Sequence, residues 1–130
     1  MSEVAEMVEW REALIDDAIA GLKEFEAELP NHRYNQWLYR LGVSMYVRQN
    51  AYHHTNHGHQ HCFDFANIQV LEDYRGQGIM MEIMERWHTM HAYPVTYVES
   101  VSNADLARRL VAAGWIACQD PETKSYYKIK

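Results

Sequence analysis

Asn67–Met84 reads NIQVLEDYRGQGIMMEIM, passing from an apolar strand-like run through an Arg-Gly-Gln-Gly turn straight into an amphipathic helix. A glycine-bearing turn at a helix start leaves backbone N–H groups unpaired and pointing outward, and the helix dipole adds partial positive charge at the same place. The stretch therefore predicts an anion site suited to phosphate or pyrophosphate.

Glycine spacing and the residues that follow decide which anion. No Gly-Lys-Ser/Thr follows the turn, so it is not a Walker phosphate loop. A dinucleotide fingerprint GxGxxG is half met by Gly76 and Gly78, with Met81 where the third glycine would close the helix onto the sheet. Glu99 lies about 20 residues further on, where that fingerprint expects a ribose-binding acid, so the dinucleotide reading stays open at this point.

The pattern Arg/Gln-x-x-Gly-x-Gly/Ala fits the same residues better, as Arg75-Gly76-Gln77-Gly78-Ile79-Met80, with Met80 in place of the usual small last residue. A second segment, Asn103 to Trp115 (NADLARRLVAAGW), sets an Asn ahead of an apolar helix that closes on Gly114-Trp115. With these two motifs at this separation, the chain resembles the GNAT acetyltransferase superfamily. The resemblance implies a mixed, mainly antiparallel α/β sheet flanked by helices over residues from about 35 to 130, and acetyl-CoA as co-substrate. It also implies that backbone groups of Ile68 to Leu71, with Val70 best placed, pair with the pantetheine arm. On the same basis Arg75 to Met80 would take the pyrophosphate, and Asn103 would reach the cofactor where two central strands splay apart.

Composition agrees with a folded chain of that size. Its 130 residues are 48% hydrophobic and 23% charged, which predicts one globular domain and excludes a disordered chain. Apolar runs are short and the N-terminus is acidic, so neither a membrane span nor a targeting peptide is expected. Cys62 and Cys118 form no CxxC and no disulfide framework, so a reduced, cytoplasmic setting is expected.

Net charge is −6, and residues 1 to 28 alone carry nine acids against Arg11 and Lys23. No basic footprint for nucleic acid exists. The acidic segment reads first as a solvated helix face, and second as a surface that attracts a basic protein.

Periodicity organises the rest. Val4, Met7, Val8, Leu14, Ile15, Ala18, Leu22 and Phe25 follow helical spacing from Ser2 to Leu29, with Gly21 a break point and Pro30 the end. Arg33 to Arg40 is expected to be a short helix, Val43 to His53 a strand, and His59 to Val70 its antiparallel partner across the Thr55–Gly58 turn. Beyond the glycine turn, Ile79, Ile83, Trp87 and Met90 mark a helix, Val95 to Val101 a strand, and Asn103 the N-cap of a further helix. Trp115 to Cys118 and Ser125 to Ile129 read as a terminal hairpin.

Acyl transfer from a thioester to an amine needs a base for the amine proton and benefits from an acid at the leaving thiolate. Asp64 and Glu99 are the candidate bases. Asp64 is expected to share a strand face with Ala66, Ile68 and Val70, and Glu99 with Tyr97 and Val101, so both would sit in partly apolar surroundings that raise a carboxyl pKa. Family members often carry a Tyr acid seven residues after the motif Asn; here Leu110 stands there, and Tyr97 is the substitute by conjecture. His53, His54, His57, His59 and His61 crowd one predicted hairpin, and 57, 59 and 61 would project from one strand face; only the nearby Cys62 and Asp64 could complete a ligand set, and no metal is expected. The sequence thus predicts an acyl-CoA-dependent N-acyltransferase acting on an amine of a protein or small molecule by direct attack in a ternary complex. The alternative is a non-catalytic CoA-binding or protein-interaction module working through its acidic N-terminal helices.

Overall fold

The computed structural model describes residues 3–28, 34–120 and 122–130. A long helix, α1 (Glu3–Glu28), precedes three strands, β1 (Tyr34–Arg40), β2 (Val43–Thr55) and β3 (Gly58–Val70). A 3-10 turn at Glu72–Tyr74 leads into α2 (Ile79–Met90), then β4 (Val95–Val98), α3 (Ala104–Ala112), β5 (Ile116–Ala117) and β6 (Tyr126–Ile129). The strands form one six-stranded sheet in the order β1-β2-β3-β4-β6-β5, parallel only where β3 meets β4. This is the mixed, mainly antiparallel α/β architecture that the order of elements predicts.

Two expectations from periodicity fail, each for a packing reason. Gly21 does not break α1; a Cβ there would lie 2.9 Å from Arg40 Cδ, so the glycine makes room for that side chain to cross the helix. Arg40 reaches Asp17 with Nη2–Oδ1 at 2.9 Å and Nε–Oδ2 at 3.2 Å, and Leu41 N–H donates to the same carboxylate. These donors hold the Asp17 pKa below its ordinary value, the Leu41 backbone N–H first. Residues 34–40 form β1 instead of a helix, because Leu41-Gly42 turns them back onto β2 in register, Arg40 opposite Val43 and Trp37 opposite Tyr46. Arg33 lies outside the described residues.

Both α2 and α3 sit in crossovers that move the same way along the sheet, and right-handed crossovers then place both helices on one face. α1 packs on α2 there, and the three feed a single core. Leu14, Ile15, Leu22 and Phe25 of α1, Met84 and Trp87 of α2 and Leu110 of α3 meet Met45, Val47, Phe63 and Phe65 of the sheet. Among the described residues no helix covers the other face. The far end of the β2–β3 hairpin bends over that face instead, where Asn56 bonds Ala117 O and Gln119 N, and His57 Nδ1 lies 2.6 Å from Tyr127 OH. Beneath it Cys62, Val95, Tyr97 and Tyr127 form a second small core, whose apolar burial pushes the Cys62 thiol up to about 12.

A bulge in β3 sets which side chains face where. Tyr46 pairs with Asn67 and Val47 with Phe65, so Ala66 has no partner and the alternation of β3 reverses across it. Ile68 and Val70 therefore join Phe63 and Phe65 on the helix side, while Asp64 points to the opposite face. The expectation that Asp64 shares a face with Ile68 and Val70 is overturned by this one extra residue. The expected histidine row is likewise broken, since His57 lies in the turn and faces Tyr127, whereas His61 packs on Tyr93 at the helix side.

Candidate active site

β3 and β4 run side by side only from Cys62–Val95 to Phe65–Val98, and Glu99 N–H still reaches Phe65 O at 3.0 Å. Beyond that point the chain leaves toward β6, where Val101 N–H donates to Lys124 O. Residues 67–70 of β3 are then paired with β2 alone, so the central sheet splits and one strand edge lies open.

The split opens into a cleft of about 680 Å³ between the starts of α2 and α3. Of the residues singled out by motif, Ile68, Val70, Arg75, Gly76, Gly78, Ile79, Met80 and Asn103 all line it. Gly76 and Gly78 hold φ of 81° and 71°, which side-chain-bearing residues rarely adopt, and no side chain caps the N-terminus of α2. Gln77 does not line the cleft; its carbonyl turns away and accepts from Arg11 Nε at 2.8 Å. A Cβ placed on Gly78 would sit 3.7 Å from Arg11 Nη2 and 3.9 Å from Arg109 Nη1, so two guanidinium groups border the turn. Sequence reasoning missed both, because Arg11 arrives from α1, 66 residues away, and Arg109 belongs to the other motif. Arg75 folds back, its Nε donating to Val70 O at 2.9 Å. Asn103 is the cap of α3, its Oδ1 accepting from Asp105 and Leu106 N–H, and it also borders the cleft.

At the root of the split, on the helix-free face, four polar side chains meet. Asp64 is wholly buried and Glu99, one residue past the end of β4, is 25% exposed. Arg48 Nη1 donates to both, at 3.3 Å to Asp64 Oδ2 and 2.7 Å to Glu99 Oε2. His53 Nε2 lies 3.0 Å from the same Asp64 oxygen, with its ring stacked on Tyr97 at 3.7 Å. Burial raises the Glu99 pKa to about 7, with hydrogen bonding and repulsion from Asp64 adding to it and Arg48 and His53 opposing it. A carboxyl so placed exchanges a proton near neutrality, as a general base must. Arg48 was not foreseen, and His53 stood out only as one of five hairpin histidines, since their approach to Asp64 depends on hairpin register.

His53, Asp64 and Glu99 bring one ring nitrogen and two carboxylates within 4.8 Å, the dimensions of a metal site. Arg48 already supplies the positive charge among those oxygens. Tyr97 is buried, with its hydroxyl pKa raised by burial first and Cys118 Sγ 3.5 Å from its oxygen. Leu110, at the position where a leaving-group acid was sought, is packed in the core.

No protein-family model and no curated protein matches the chain. Among solved structures it is similar to an acetyltransferase of the GNAT family from Listeria monocytogenes 4b F2365, at 15% identity and a TM-score of 0.50. That likeness covers 69% of this chain and 58% of the Listeria chain. At this identity it is a likeness of fold, and the fold is GNAT-like: a mixed sheet with helices, split beside a glycine turn.

Proposed function

We propose that this protein is an acyl-CoA-dependent N-acyltransferase, with acetyl-CoA as donor and a primary amine as acceptor. The observation that carries the reading is the junction of three features at one split: an open β3 edge, an uncapped α2 N-terminus bordered by Arg11 and Arg109, and a near-neutral Glu99. The turn Arg75–Met80 would receive the pyrophosphate. The open backbone of residues 67–70 would hold the pantetheine arm as an added strand.

In the proposed reaction Glu99 takes a proton from the acceptor amine, the nitrogen forms a bond to the thioester carbonyl carbon, and the C–S bond breaks to release CoA thiolate. Asp64 and Arg48 position Glu99. With Leu110 in the core and Tyr97 buried, the thiolate leaves into water in this scheme.

The test is calorimetry with acetyl-CoA followed by thiol release in the presence of an amine panel. Glu99→Gln should keep the donor affinity and lower kcat by about 10²-fold. Absence of CoA binding defeats the proposal. Binding without thiol release from any amine would favour a non-catalytic CoA-binding module, the reading that the buried Leu110 supports.

A further inference from the structure

On the helix-free face, the strands leading to Glu99 carry aromatic rings that no core claims. Trp37 and Tyr39 of β1 stack with centroids 5.8 Å apart, and Trp37 meets Tyr46 of β2 at 5.3 Å. Their neighbours Leu38, Met45 and Val47 point into the helix-side core, so these three rings face outward, and Tyr39 is 75% exposed. Arg48 joins this shelf to the carboxylates, its guanidinium 5.5 Å from the Tyr46 ring centroid and 2.7 Å from Glu99.

The charges around the shelf narrow what it takes. Asn35, Ser44, Asn67 and Gln69 are the other outward residues beside the rings, and all have uncharged side chains; His53 lies past Arg48, against Asp64. Glu99 and Asp64 are the acids on this stretch of the face, and Arg48 engages both. A polyamine or basic peptide finds no series of carboxylates here, and the acidic α1 lies on the opposite face. One carboxylate at the end of an aromatic surface suits a single ammonium attached to a flat apolar body, held by stacking and cation–π attraction.

We infer that the shelf Tyr39–Trp37–Tyr46 is the acceptor platform, and that it takes a primary amine carried on a short linker from a planar apolar ring system. The inference names the acceptor class of the transferase reading and rests on it for the chemistry at Glu99. The ring stacks on Trp37 and Tyr46, and the linker passes Arg48 to bring the nitrogen to Glu99.

Two measurements test it separately from the reaction. In the first, 2-phenylethylamine is titrated into ¹⁵N-labelled protein and the Trp37 indole N–H signal, assigned by its loss in Trp37→Phe, is followed. A saturable shift that Tyr39→Ala, an exposed and fold-neutral change, weakens several-fold is expected; no shift at Trp37 overturns the platform. In the second, thiol release from acetyl-CoA is compared for 2-phenylethylamine, ethylamine and spermidine. The arylalkylamine should exceed the others in kcat/KM by about tenfold or more. Trp37→Ala should raise its KM about tenfold while the KM for acetyl-CoA stays unchanged. Preference for spermidine overturns the inference. Binding at Trp37 without turnover of any amine supports the platform and removes the transferase reading. A dimer in sedimentation that Trp37→Ala dissolves gives the rings to a second copy, and also overturns it.

Discussion

Glu99 owes its raised pKa first to burial and then to Asp64, with Arg48 and His53 opposing, so its titration reads out those contacts. The base must be ionised to work, so kcat/KM should rise with pH through an acid limb near the value of about 7 that burial and Asp64 impose. Asp64→Asn removes the repulsion and should move that limb down, while Arg48→Met removes an attractive charge and should move it up. Opposite displacements in a pH–rate profile are the expected outcome; two shifts of the same sign would refute the arrangement. Gly78→Asp tests the other end of the cleft. Its carboxylate would point between Arg11 and Arg109, and Asp tolerates the left-handed conformation better than most residues. The variant should stay folded and lose CoA binding, because it carries its own anion into the turn; unchanged affinity by calorimetry would place the pyrophosphate elsewhere. The glycines and Glu99 were legible in the sequence because local spacing names them. Arg11, Arg48 and Arg109 were not, since each acts through a contact far along the chain.

At the level of elements, the end of α2 is tied to β4 by a buried chain of polar groups. Tyr93 N–H donates to His91 Nδ1, so His91 carries its proton on Nε2 and donates to Thr96 Oγ1, which in turn donates to His88 Nδ1. Both imidazoles are neutral. Burial first, then the charges of Lys130 and His88, drives His91 down to about 3, and burial also lowers His88. Unfolded, each would protonate near 6.5, so below that pH the unfolded chain binds more protons. Their contribution to stability is therefore full above about pH 6.5 and declines as pH falls toward the folded His91 value of about 3. In Glu99→Gln, which removes the opposing contribution of a carboxyl raised to about 7, melting temperature should drop steadily between pH 6.5 and 5, and a flat profile in that variant would contradict the neutral assignment. Thr96→Val leaves two buried imidazole nitrogens short of a partner and should cost about 1–3 kcal/mol at pH 7.5, read by denaturant unfolding.

Element order was largely readable: the long helix, the β2–β3 hairpin, the strand–turn–helix and the capped α3 all follow from periodicity and glycine placement. β1 was misread because seven residues with one core side chain, Leu38, carry too little alternation to outvote neighbouring helical spacing. Gly21 misled because its use is a contact with Arg40, which no local pattern encodes.

Across the whole molecule, the sheet separates packing from chemistry. Helices and their core occupy one face, the carboxylates and aromatic rings the other, and the split between β3 and β4 joins them. The acidity of α1 is partly spent on that packing: Glu12 and Asp16 pair with Arg86 of α2 at 2.9 and 3.4 Å, and Asp17 with Arg40. Glu6 and Glu9 remain exposed. Reversing these two to Lys should leave both acetyl-CoA affinity and amine turnover unchanged within about twofold at physiological salt, where charges beyond about 8 Å are screened. A marked loss of turnover with one protein acceptor alone would return α1 to the role of a docking surface.

Ala66 makes β3 two half-strands set out of phase with each other. The first half sets Phe63 and Phe65 on the helices and Asp64 on the opposite face, the second sets Ile68 and Val70 on the helices, and neither half inherits the other's orientation. The same arrangement leaves no tolerance for length change at that point. Removing Ala66 would restore strict alternation and turn one half over, either driving Asp64 into the helix-side core in place of Phe63 and Phe65 or exposing Val70 to water. One alanine thus acts as a frame marker for the fold, as a reading frame does for a gene.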